Sequence, residues 1–300
     1  MVLRGLTPAS VIPEASGGRA EEATIRPARL LESASLEWHP VGAPEAWPGT
    51  LAFLDGVQRA ELVAYAGAMP LVLGEVAAAV RERRDRRLTT VLRERTVLLI
   101  GRPAALEAAG EAAEGCRTVA LPTDEQPHPV RDLANAARAL DRARGSLELE
   151  LGERYRRRSD GWLIVDGAIT ESPLWAADPR LVGVSKSHAT LPFDGPELER
   201  FLRLPNGHRS SVYVPETRAV TPEREWALRL WAWEGKDLFH GLVRVQVAPE
   251  NGGADTADRL SRRLLAERAP LSTPDHRWDR LLYGIHSVES YHRAGSLALR

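Results

Sequence analysis

The sequence predicts an α/β fold, a mixed sheet flanked by helices, and three observations predict it. Two apolar runs, residues 53–54 and 164–165, each lead into Asp-Gly. Between them lies a segment dense in Ala, Leu, Arg and Glu, residues 130–158, and such residues lose little rotamer freedom in a helix. Near the C-terminus, residues 226–233 (WALRLWAW) and 242–247 (LVRVQV) show the alternation of half-buried strands.

In chain order, residues 1–35 lack periodicity and carry Pro8, Pro13, Gly17, Gly18 and Pro27, so an irregular N-terminal arm is expected before one domain over 36–300. Residues 38–49 hold two tryptophans between prolines and read as a loop on the core. Residues 51–54, 61–65 and 70–73 read as an antiparallel meander. The composition of 75–95 (VAAAVRERRDRRLTTVLRER after Glu75) predicts a long helix, and 96–100 a short buried strand ended by Gly101. Residues 116–127 are turn-rich. The helix over 130–158 stops at Ser159-Asp160-Gly161, and strands are expected at 162–165 and Leu181–Ser185. A hairpin then leads into two closing helices, Ala254–Glu267 and 275–293.

Composition bounds the function. Hydrophobic residues make up 43% of the chain, enough for a sizeable core. No apolar run approaches the roughly 18–20 residues a bilayer crossing needs. The first residues are too broken by Pro, Gly and charge for a signal peptide, and the single Cys116 can form no internal disulfide, so a reducing, cytoplasmic setting is expected. The net charge of −1 means that any nucleic-acid binding must rely on local positive charge. That charge is nearly all arginine, because Lys186 and Lys236 are the only lysines. There is no phosphate-binding glycine loop, no zinc-ligand spacing and no nucleophile elbow.

The two Asp-Gly pairs carry the chemistry. Aspartates at neighbouring strand ends, Asp55 and Asp166, can share a divalent ion, and a helical carboxylate can complete the cage. Leu147 and Leu151 mark the buried stripe of the preceding helix, which favours Glu148 over Glu150 and Glu153 for that carboxylate. Mg²⁺ or Mn²⁺ suits such hard oxygen donors, and the pair of ions they allow is suited to phosphodiester hydrolysis.

Taken together, these residues resemble the NurA nucleases, whose fold is RNase H-like. The match consists of Asp55-Gly56 followed by Arg59, Glu148 on the helix, Asp166-Gly167 after WLIV, and Gly183 with Lys186 in VGVSK, within residues 50–295. Ala168 stands where the family often has Ser. The family's C-terminal helix usually begins Tyr-Pro and carries an active-site His. Here Tyr283 is followed by Gly284, and the His position falls on or beside Tyr291, with His292 next to it and His286 earlier. The resemblance implies an RNase H-like mixed sheet with terminal elaborations. It implies metal ligands Asp55, Glu148 and Asp166, catalytic contributions from Lys186 and His292, and substrate contacts from Arg59, Lys186 and Tyr283. It also implies single-strand endonuclease and 5′–3′ exonuclease activity on DNA with Mn²⁺ or Mg²⁺, a homodimer, and a HerA-like hexameric ATPase as partner, in end processing, repair or defence. The alternative is a non-catalytic RNase H-like scaffold that binds DNA or a translocase.

Overall fold

Three long strands organise the N-terminal half of the chain, and two of them run through residues 75–95, whose composition predicts a helix. A computed structural model describes residues 24–85, 87–123, 125–170, 172–216, 223–270 and 277–295. Short strands β1 (Thr24–Ile25), β2 (Ala28–Leu30) and β3 (Trp38–Pro40) precede β4 (Leu51–Ala66), β5 (Met69–Arg84) and β6 (Arg87–Gly101). Then come α1 (Pro103–Ala109), β7 (Arg117–Ala120), the 28-residue α2 (Pro129–Arg156) and β8 (Trp162–Asp166). They are followed by α3 (Pro173–Ala176), β9 (Leu181–Ser185), β10 (Thr190–Leu191), α4 (Gly195–Leu202), β11 (His208–Ser210) and β12 (Tyr213–Pro215). The hairpin β13 (Arg224–Arg229) and β14 (Leu242–Val247) leads to α5 (Ala254–Glu267) and α6 (Tyr283–Gly295).

One mixed sheet of 12 strands holds nearly all of this, with β6-β5-β4-β8-β9 at its centre. β4 pairs antiparallel with β5, and β5 with β6. β8 lies parallel to both β4 and β9. Three antiparallel strands followed by two parallel ones, with α2 crossing between β6 and β8, form the RNase H-like arrangement. α2 covers one face, packing Leu140, Leu147 and Leu151 on Leu54, Ala78 and Val165. α5 and α6 cover the other, packing Leu260, Leu264, Ile285 and Val288 on Phe53, Ala79, Ile164 and Val245. Among the described residues no helix is long and apolar enough to cross a membrane.

Several expectations are corrected. Residues 75–95 are not a helix: they span most of β5 and part of β6. Ala77, Ala78 and Ala79 sit mid-strand with helices on both faces, where small side chains let the layers approach. Packing on both faces here overrides intrinsic propensity. The meander of short strands is one hairpin of two 16-residue strands, turned at Gly67 with φ +61°. Asp55-Gly56 therefore lies within a strand and not at its end. The turn-rich stretch 116–127 contains β7, paired with β6. The last helix begins at Tyr283, since Leu281 is extended (ψ 141°) ahead of it, and residues 275–276 lie outside the described residues. Of the N-terminal arm, residues 1–23 also lie outside them. The rest contributes β1 and β2, which pair with β10 and β12. Buried Arg209 ties this segment down by donating to both carboxylate oxygens of Glu32 at 2.8 and 2.9 Å.

Candidate metal centre

Side chains alternate across a strand, so Phe53 and Asp55 share the face that α6 covers. Asp166, opposite Val184 on β9, closes β8, and Gly167 after it has φ +137°, where an L side chain is strained. Lys186 follows two residues past Val184, on the same face. From α6, Glu289 comes in on the same buried side as Val288 and His292. Each of Asp55, Asp166 and Glu289 offers a carboxylate oxygen, and the three oxygens lie within 4.8 Å of one another.

Such a cluster is costly without cations, because like charges repel and burial removes their hydration. Asp55 is 6% exposed, and its pKa is raised well above the usual carboxylate range, first by burial and then by Asp166. Lys186 opposes this rise. Its Nζ stands 2.7 Å from Asp166 Oδ2. Glu289 accepts from Arg277 Nη2 at 3.0 and 3.1 Å, with Arg293 at 3.5 Å. The donor set is all hard carboxylate oxygen and largely withdrawn from solvent, which fits a hard divalent cation.

Glu148 approaches from α2, on the other face, beneath Gly56. A Cβ at residue 56 would collide with its carboxylate, so the glycine makes room for it. Burial pushes its pKa up to about 7, Arg144 pulls it down, and Asp166 raises it again. Arg144 Nη1 lies 2.5 Å from Glu148 Oε1, while its Nη2 reaches Asp141 at 3.1 Å and its Nε reaches Gln58 at 3.2 Å. Of the other helical candidates, Glu150 is exposed and Glu153 accepts from Ser172 at 3.4 Å.

The remaining candidates are spread around this centre. His292 is buried, with no hydrogen-bond partner at Nε2, and burial lowers its pKa while the Asp55 main chain and Glu75 raise it. The Tyr291 hydroxyl accepts from Arg93 at 3.0 Å. His286 Nε2 lies 3.4 Å from Ser290 Oγ. Arg59 is exposed, four residues beyond Asp55 on the same strand and opposite Glu75. Tyr283 is 52% exposed and lines a 460 Å³ cavity with Phe53, Arg81 and Arg83. Gly284, where the resemblance leads one to expect proline, packs on the Phe53 ring so closely that a Cβ would collide with it.

Sequence reasoning missed Glu289. Its signal was a carboxylate on an apolar stripe: Leu282, Ile285, Val288, Glu289 and His292 all face inward at helical spacing. A charge at such a position needs a partner or a ligand.

No protein-family model matches the sequence, and no curated protein matches it. Among solved structures, the NurA nuclease from Sulfolobus solfataricus is similar with a TM-score of 0.55 and 10% identity, over 85% of this chain and 81% of that one. The catalytic domain of human Endonuclease V aligns with a TM-score of 0.37 and 14% identity, over 82% of this chain and 81% of its own, too distant to bear on the fold. The likeness to the NurA nuclease agrees with the strand order in identifying the fold as RNase H-like.

Proposed function

We propose that this chain is a metal-dependent DNA nuclease whose centre is Asp55, Asp166 and Glu289, with Glu148 beside it, holding Mn²⁺ or Mg²⁺. The observation that carries the reading is the meeting of three carboxylates, distant in sequence, around one point of the sheet. A bound divalent ion there would supply an acidified water and stabilise charge on the leaving oxygen. The chain's own residues do the rest. Asp55 and Asp166 present oxygens from rigid strands. Glu148, with a pKa near 7, is suited to accept the proton of an attacking water, and Arg144 orients it. Lys186 offers a point charge to a phosphate oxygen. Exposed Arg59 and Tyr283 would grip and stack on a strand of DNA passing the centre. His292, from α6, would steady the Asp55 main chain.

The resemblance to NurA nucleases extends this reading to single-strand endonuclease and 5′–3′ exonuclease activity, a homodimer, a HerA-like hexameric ATPase and a cytoplasmic role in end processing, repair or defence. Purified protein incubated with single-stranded DNA and Mn²⁺ is expected to yield products. Asp55→Asn and Asp166→Asn are expected to lose at least about 10²-fold in rate while keeping the far-ultraviolet circular dichroism of the wild type. Wild-type cleavage by either folded variant would refute the assignment.

A further inference from the structure

We infer that the Lys186 ammonium is the stand-in cation of the metal-free centre, and that a divalent ion entering among the carboxylates expels it from Asp166. The inference rests on the metal-centre reading above and adds an order of events to it: the ion loads first, and its arrival frees Lys186 for a phosphate.

Lys186 and Asp166 occupy the ends of two adjacent parallel strands, and their side chains are 15% and 18% exposed. Their 2.7 Å approach is a charge contact: Nζ is buried and makes no aligned hydrogen bond. Among the described residues, attraction to Asp166 and, farther off, Asp55 draws it there. The neighbouring guanidinium groups are fixed differently. Arg144 is forked among Glu148, Asp141 and Gln58, and Arg277 donates to both oxygens of Glu289. A planar fork bound at several points is slow to yield, whereas an ammonium on a four-carbon stem can swing away without moving backbone.

A divalent ion bound to Asp166 and an ammonium on the same carboxylate would be like charges a few ångströms apart with little water between them, and the monovalent one gives way. The displaced group then needs an anion. A phosphate beside the ion supplies one, so ion binding and DNA binding favour each other through a single side chain.

The composition makes this testable in the native chain, because Lys186 and exposed Lys236 are the only lysines. In protein labelled with ¹³C at lysine Cε, two signals are expected, and Lys236→Arg identifies which one is Lys236. Titration with diamagnetic Mg²⁺ should shift the Lys186 signal and leave Lys236 in place. By calorimetry, Lys186→Met should bind Mn²⁺ on the order of tenfold more tightly than wild type, its competitor having been removed. Ion binding with measurable heat but no movement of the Lys186 signal would overturn the exchange while sparing the metal centre, as would weaker binding by a folded Lys186→Met. Absence of any ion binding to wild type would remove the centre itself, and this inference with it. Should Lys186→Met fail to fold, the wild-type titration decides alone.

Discussion

Asp55-Gly56 and Asp166-Gly167 share a dipeptide and an acidic centre, yet their glycines do different work. At Asp166 the strand stops, and Gly167 takes φ +137° to lead the chain away. At Asp55 the strand runs on to Ala66, and Gly56 is not among the positive-φ glycines. Its lack of a side chain instead leaves space for Glu148. One glycine answers a backbone demand and the other a packing demand. The lesson is that an Asp-Gly pair after an apolar run marks a carboxylate on a rigid support, without saying whether a turn follows.

Alanine at each position separates the two roles most sharply. Gly167→Ala is expected to lose about 1–3 kcal/mol from backbone strain, whatever its neighbours are. Gly56→Ala should lose a similar amount, about 1–3 kcal/mol, from the collision with Glu148. Removing the obstacle should restore most of it in the Gly56→Ala/Glu148→Ala double variant but not in Gly167→Ala/Glu148→Ala, as read by urea unfolding. Additive losses in both doubles would erase the distinction.

A pH series sharpens the comparison next. The folded pKa of Glu148 is raised from 4.5 to about 7, chiefly by burial. A carboxyl raised in this way adds stability that is full below its unfolded pKa and disappears as pH climbs through about 7. Metal-free wild type should therefore lose up to about 3 kcal/mol more than Glu148→Gln between pH 5 and pH 8. Asp55 has the same sign and persists in the Gln variant. Parallel pH profiles for the two proteins would contradict the burial of Glu148 beneath Gly56.

The smallest effect concerns what lies beyond each aspartate. β4 continues to exposed Arg59, whereas β8 ends. Arg59→Ala should leave stability within about 0.5 kcal/mol. It should also lower the salt dependence of single-stranded DNA binding by about 0.7 in log–log slope, one phosphate contact's worth. An unchanged slope would remove Arg59 from the substrate path.

Much of this was legible before any coordinates. The apolar runs into Asp55 and Asp166, the long helix between them and the closing hairpin gave the fold class, because these segments alternate or repeat at their own period and need no distant partner to be read. The helical preference for Glu148 came from its place beside the Leu147–Leu151 stripe, whereas the carboxylate grouped with Asp55 and Asp166 is Glu289. Residues 75–95 misled for the opposite reason: alanine and arginine favour a helix locally, and only two helices packing on both faces of β5 make alanine the residue a strand needs there. The composition likewise fixed that arginine would carry nearly all the positive charge, and that Lys186 would be one of two lysines. That Glu289 is the carboxylate which joins the two aspartates was decided by tertiary structure alone. Glu289 joins Asp55 from more than two hundred residues away, and no local period encodes the angle at which α6 crosses the sheet.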